Sequence, residues 1–142
     1  MLAALFVSCI NVYAIDKTKG YLLVVHPENP VTSLMHEYVE QLFLVKQTKW
    51  SDGVPVDVVI NASGKAAEEF YQDIIGKTPG QYLIYRKKLL FNGMAIPPKS
   101  LQDDEEVIRY IAQHPNGIGF ISPASLDWRV KALTIVQSSD RQ

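Results

Sequence analysis

The sequence predicts an α/β fold, a single domain in which a small mixed sheet is flanked by helices. Three observations lead there. Tyr21–Val25 (YLLVV) is a continuous apolar run ending at His26-Pro27, as expected of a strand buried on both faces. Val56, Val58 and Ile60 alternate with Asp57 and Val59, which is strand chemistry rich in β-branched residues. A few residues on, Ala67, Phe70, Tyr71, Ile74 and Ile75 take the spacing of a helix with one buried face. With 142 residues, 47% apolar and 20% charged, the chain has core enough for one domain and is too apolar for bulk disorder.

The elements follow in order. Leu2–Ile10 is apolar except for Ser8 and too short to span a bilayer. Val12-Tyr13-Ala14 then places small residues at the −3 and −1 positions of a signal-peptidase site. Residues 1–14 therefore read as a signal peptide, although no Lys or Arg precedes the apolar run. A buried first strand or helix is the alternative for this segment. The single Cys9 lies inside it, so residues 15–136, the expected domain, hold no cysteine for a disulfide, thiol chemistry or a Cys-based metal site. Phe6-Val7-Ser8-Cys9 is only loosely a lipoprotein box, with Phe6 a poor fit, and ranks below simple secretion.

After the first strand, Glu28-Asn29-Pro30 is a loop and Ser33 an expected N-cap. Met35, Tyr38, Val39, Leu42 and Phe43 trace a helical stripe, closed by a turn at Trp50-Ser51-Asp52-Gly53. The strand at Val56–Ile60 leads into the second helix, which Gly76 ends. Thr78-Pro79 starts a third helix as N-cap and first helical residue, carried less regularly through Tyr82–Phe91. Asn92–Lys99 is a loop. Asp103 and Glu106 have capping-box spacing, and Val107, Ile108 and Ile111 face inward from a fourth helix. Pro115-Asn116-Gly117 turns the chain into a strand at Ile118–Ile121, where Gly119 signals close backbone approach. Val130–Val136 is the last strand and 137–142 a polar tail. The expected order is β-α-β-α-α-α-β-β.

The chemistry concentrates at the switch from the second strand to the second helix. Asn61, Ser63, Gly64 and Lys65 lie there, where a helix start exposes unpaired backbone N–H groups and partial positive charge. Ser63 adds a hydroxyl, Gly64 lets the backbone approach closely and Lys65 brings a full charge, so the loop can hold a small oxyanion. The alternative is that Asn61 or Ser63 only caps the helix, the commoner use of such residues. The loop is not a Walker A motif, because the glycine five residues before its Gly-Lys pair is missing.

Other chemistries lack support. A net charge of −1 argues against a nucleic-acid partner. His26, His36 and His114 are scattered, without a metal-ligating pair; His36 and His114 read as solvated, and His26 could line a cleft. Asp103-Asp104-Glu105-Glu106 reads as acid favoured by a helix dipole rather than as a metal cluster. No cofactor, metal or catalytic constellation is expected, and the chain does not read as an enzyme.

Several segments then fall into a familiar order. Asn29-Pro30, Leu42-Phe43-Leu44-Val45-Lys46 and Thr48-Lys49-Trp50 resemble the “NP…iFlGK.t.W” segment of the periplasmic phosphate-binding proteins of ABC transporters. Val56–Ile60 with Ser63-Gly64 resembles their strand and “SGT” phosphate loop, Glu69-Phe70-Tyr71 fits the following helix, and His114–Ile121 resembles “.PGAIGYV”. The resemblance covers roughly 22–133 and implies one lobe of a type II periplasmic-binding-protein fold. It departs at Val59-Ile60-Asn61, where the family carries an arginine; at Lys65, where it has threonine; and at Val45, where it has glycine. The family has two lobes in about twice this length, so the chain resembles a short, single-lobe relative.

The resemblance implies a secreted or periplasmic solute-binding protein for phosphate or a related oxyanion, serving a membrane transporter or sensor. Phosphate would then sit on Ser63, Gly64 and Lys65 with Asn61 at the rim. The alternative is an interaction module that keeps the fold, has a degraded ligand site and binds a membrane or periplasmic partner. One outcome is expected from the leader alone. Protein recovered from the periplasm of a Gram-negative host should begin at Ile15, and N-terminal sequencing that finds Met1 retained would refute cleavage after Ala14.

Overall fold

The computed structural model describes residues 19–137. The signal segment 1–14, its cleavage position, Cys9 and residues 138–142 of the polar tail lie outside the described residues. Six strands form one mixed sheet: β1 (Leu22–Val25), β2 (Ser33–Met35), β3 (Asp57–Asn61), β4 (Lys99–Leu101), β5 (Gly117–Ile121) and β6 (Lys131–Val136). Four α-helices accompany it: α1 (His36–Phe43), α2 (Lys65–Phe70), α3 (Pro79–Phe91) and α4 (Asp104–Gln113). A π turn, Tyr71–Ile75, extends α2, and a 3-10 turn at Pro123–Ser125 follows β5.

The strand order is β2-β6-β1-β5-β3-β4. β1 pairs antiparallel with both neighbours, whereas β3 runs parallel to β4 and β5, and β2 parallel to β6. All four β1 residues are buried, as the unbroken apolar run predicts. Strand periodicity then divides the core. Leu23, Val25, Ile60, Ile118 and Phe120 face a cluster with Val39, Leu42 and Phe43 of α1 and with Ala67, Phe70 and Ile74. Leu22, Val24, Val59 and Ile121 face Val107, Ile108 and Ile111 of α4. Phe70 stacks on Phe120 at 4.1 Å between centroids, and Phe43 meets Phe70 edge-on at 4.8 Å.

Close approach at Gly119 is real. A Cβ there would lie 3.0 Å from Val59 Cγ2 and 3.0 Å from Val107 Cγ1, so the glycine lets α4 settle on the sheet. Thr78 forms the full capping box with Gln81. At α4, Asp103 accepts the Glu106 N–H at 2.9 Å, but the Glu106 carboxylate reaches past the N-cap to the Gln102 N–H at 2.7 Å.

The structure corrects the expected order in two places. Ser33 is not a cap: it opens β2, and Met35 is the N-cap of α1. The end of the expected Asn92–Lys99 loop joins β4. Both added strands have three residues and exist because β6 and β3 offer open parallel edges. The second helix also changes character, since the Gly76 N–H bonds Tyr71 O, five residues back, at 2.8 Å.

Helix α1 ends in a Schellman arrangement. Lys46 N–H bonds Gln41 O at 2.9 Å and Val45 N–H bonds Leu42 O at 3.2 Å. Val45 occupies the position where glycine is favoured, with φ 58°, the only non-glycine residue of positive φ among those described. A β-branched side chain there costs roughly 1–2 kcal/mol or more, against about 0.5–1 kcal/mol for the extra unfolded-state freedom of glycine. Val45→Gly should therefore raise stability by up to about 1 kcal/mol in urea unfolding, and a lower midpoint would contradict the strain.

Candidate anion-binding edge of the sheet

Because β3, β4 and β5 run parallel, their C-terminal ends share one edge. Three loops leave from it: Ala62–Gly64 into α2, Gln102–Asp103 into α4, and Ser122 into the 3-10 turn. Ligands of parallel α/β sheets bind at such edges, outside the strand ends and near helix starts.

Asn61 is the one buried polar residue among those described, 2% exposed at the end of β3. It is part of the strand rather than of the loop rim. Its Oδ1 accepts the Ser63 N–H at 3.2 Å, which forms an Asx turn. Its Nδ2 donates to Asp104 Oδ1 at 2.6 Å, and its backbone carbonyl accepts Tyr71 Oη at 3.2 Å. Asp104 Oδ2 in turn accepts the Ser122 N–H at 3.1 Å and Ser125 Oγ at 2.7 Å. The Ser63 hydroxyl donates to Gln102 O at 2.5 Å. One buried amide and one carboxylate thus pin three loops together.

Ser63, Gly64 and Lys65 are exposed. Gly64 is the N-cap of α2, and no side chain caps the helix, so neither Asn61 nor Ser63 plays the capping role that local sequence allows. Gly64 is required by its backbone conformation, φ +91°, and not by crowding, since nothing lies within 4 Å of the place a Cβ would take. Lys65 forms no ion pair among the described residues. The loop therefore presents a bare helix start, one ammonium and one hydroxyl on open surface. A depression of about 420 Å³ lies at the other end of this helical segment, lined by Glu68, Gln72, Gly76, Lys77 and Gln81 among others, away from the loop.

The acidic run 103–106 is more than dipole compensation. Asp103 caps, Glu106 holds Gln102, Asp104 ties the strand ends, and Glu105 pairs with arginines. Arg129 grips Glu105 with two bonds, 2.7 and 2.9 Å, and Asp127 at 2.7 Å. Hydrogen bonds from Arg129 and Arg109 hold the Glu105 carboxyl down to about 2, and Arg129 lowers Asp127 in the same way. The Arg129 charge is thereby neutralised within the edge. Gln102, Asp104, Ser122 and Ser125 carry no local sequence signal for this role; only strand pairing brings them to Asn61.

The histidines serve local structure. His26 Nδ1 accepts the Glu28 N–H at 3.1 Å, completing the loop after β1. His36 and His114 are partnered rather than merely solvated. His36 Nε2 bonds Asp73 O at 3.0 Å, and His114 Nδ1 bonds Tyr110 O at 2.6 Å while its ring stacks on Tyr110 at 3.8 Å. Tyr110 itself donates to Asp57 Oδ2, and burial with that bond pushes its hydroxyl up to about 12. Among the described residues no helix is long and apolar enough to cross a membrane.

Solved structures share this architecture. A phosphate ABC-transporter substrate-binding protein with bound phosphate, from Clostridium perfringens, is 20% identical with a TM-score of 0.63, covering 82% of this chain and 44% of its own. An ABC-type phosphate transport receptor from Vibrio cholerae is 20% identical with a TM-score of 0.56, covering 82% and 46%. PstS from Borrelia burgdorferi is 15% identical with a TM-score of 0.61, covering 82% and 47%. No protein-family model matches the sequence, and no curated protein matches it. The chain spans less than half the length of each of these structures, and its fold is that of one lobe of such phosphate-binding proteins.

Proposed function

We propose that the protein is a secreted, periplasmic solute-binding protein for phosphate or a related oxyanion, serving a transporter or sensor. We also assign Ser63, Gly64 and Lys65 as the anion-contacting loop. The observation that carries this reading is the uncapped helix start at Gly64, exposed beside Lys65 at the parallel strand ends. The fold likeness to a structure with bound phosphate supports it. In this reading the first-turn N–H groups of α2 and the Lys65 ammonium receive the anion. The Ser63 hydroxyl turns from Gln102 O to donate to it. Asn61 acts from behind, holding the Ser63 backbone through its Oδ1. The site is one open wall, so the anion keeps part of its hydration and its bonds are weaker than in an enclosed cleft. No metal, cofactor or reaction enters this function.

One observation favours a second reading, a binding module whose ligand site has decayed. Asn61 and Ser63 spend their side chains on Asp104, Gln102 and the Ser63 backbone. Titration calorimetry with phosphate and with sulfate on wild type, Ser63→Ala and Lys65→Ala separates the two. If the loop is the site, Ser63→Ala weakens phosphate binding by about 1.5–3 kcal/mol, the worth of a hydrogen bond to a charged group. Lys65→Ala has a smaller effect, because water and salt screen an exposed charge. Equal affinity in all three proteins removes the loop from consideration, and no affinity in any of them selects the module.

A further inference from the structure

Helix α3 is not amphipathic: both of its faces carry apolar residues. Toward the core, Tyr82 is buried and its hydroxyl donates to Phe43 O at 2.5 Å, while Tyr85 donates to Leu44 O at 2.5 Å. Arg86 lies over the Tyr82 ring at 5.1 Å. At helical spacing the opposite face carries Ile84, Lys87 and Phe91. Ile84 is 57% exposed and Phe91 82%, and the chain beyond the helix adds Met94 at 74% and Ile96 at 90%. Isolated exposed apolar residues are ordinary; four within so short a stretch mark an interaction surface.

Charge identifies the occupant. Between Asp73 and Asp103 the chain has no acidic residue, yet it holds Lys77, Arg86, Lys87, Lys88 and Lys99 in a protein of net charge −1. Lys87 and Lys88 are exposed and form no ion pair among the described residues. A twofold dimer through this face would bring four lysines into one interface with no acidic residue of 74–102 to meet them, which is unfavourable. The partner is therefore anionic. It also has to receive apolar side chains that project from the helix end rather than line a groove. A folded protein needs a matching pocket for each of them, whereas the boundary between lipid headgroups and acyl chains takes any projecting apolar shape. Lysines beside them can lie along that boundary with their ammonium groups among the phosphates.

We infer that the outer face of α3 from Ile84 to Phe91, with the chain beyond it to Ile96, is a docking surface for an anionic lipid bilayer, with Phe91, Met94 and Ile96 entering the interface and Lys87 and Lys88 on the headgroups. This goes beyond the solute-binding reading and does not depend on it. Co-sedimentation of the full chain with vesicles of equimolar phosphatidylglycerol and phosphatidylcholine tests it, with pure phosphatidylcholine alongside. Wild type should partition onto the anionic vesicles, less so as salt rises, and weakly onto the neutral ones. Lys87→Gln with Lys88→Gln should lower partitioning about thirtyfold, from the loss of two surface charges. Phe91→Ser with Met94→Ser and Ile96→Ser should lower it about tenfold or more, with an unchanged circular dichroism spectrum. Wild type left in the supernatant with anionic vesicles would overturn the inference. So would variants that sediment like wild type, which would place any binding elsewhere in the chain. A wild-type dimer that Phe91→Ser converts to monomer in analytical ultracentrifugation would assign the face to a second copy instead.

Discussion

Leu22, Leu23, Val24 and Val25 are all buried, and that constraint organises the molecule. A strand with no solvent face has to be covered from both sides. α1 and α2, with the π turn, supply one cover, and α4 supplies the other. The aromatic contacts among Phe43, Phe70 and Phe120 fill the first, and the missing side chain of Gly119 makes room for the second. Helices on both faces in turn require crossover connections, and these run β3, β4 and β5 parallel. The strand ends and helix starts meet at one edge for that reason, and the candidate site is there because the core is where it is.

That edge is held by unusually few groups. Asn61 is buried, and both polar atoms of its side chain are used, the amide nitrogen by Asp104 and the oxygen by Ser63, while its backbone carbonyl is used by Tyr71. Buried polar groups are costly unless satisfied, so such a residue fixes the positions of the loops that satisfy it. Asp104 extends the connection to Ser122 and Ser125, and Arg129 ties Glu105 to Asp127 beside it. Where the phosphate-binding family carries an arginine near its serine, this chain has Val59-Ile60-Asn61. Val59 belongs to the α4 core, Ile60 to the opposite one and Asn61 to the edge network, so these positions serve the interior. Ser63, Gly64 and Lys65, with Ala62 before them, are exposed.

Val45 shows the same family pattern tested from the other side. The glycine that the resemblance expects coincides with a backbone position of φ 58°, closed by both bonds of a Schellman end. The backbone takes the conformation that suits glycine, and valine fills it. Strain of this kind persists only where the surroundings hold it, and here the carbonyls of Phe43 and Leu44, just before the turn, are bonded by Tyr82 and Tyr85 of α3. Helix α3 is thus anchored to the domain by one narrow face, which leaves its other side to solvent.

The sequence by itself determined the α/β class, the doubly buried first strand, the alternating Val56–Ile60 strand and the faces of α1, α2 and α4, because burial imposes periods of 2 and about 3.6 that survive in the residue order. It also located the Thr78 and Asp103 caps, the Gly119 approach and the strand-to-helix switch at Ser63, since each is a local demand on one or two residues. Only the tertiary structure decided β2 and β4, three-residue strands whose stability comes from the neighbouring edge rather than from their own composition. It also decided that Ser33 pairs instead of capping, and that Gly64 starts α2 without a side-chain cap. The meeting of Asn61, Gln102, Asp104 and Ser125 belongs to the same class, because residues far apart in the chain become neighbours only through strand pairing. The apolar outer face of α3 does as well. A helix with apolar residues all round has no preferred face in sequence, and its buried side is chosen by the tyrosines that find carbonyl partners across the fold.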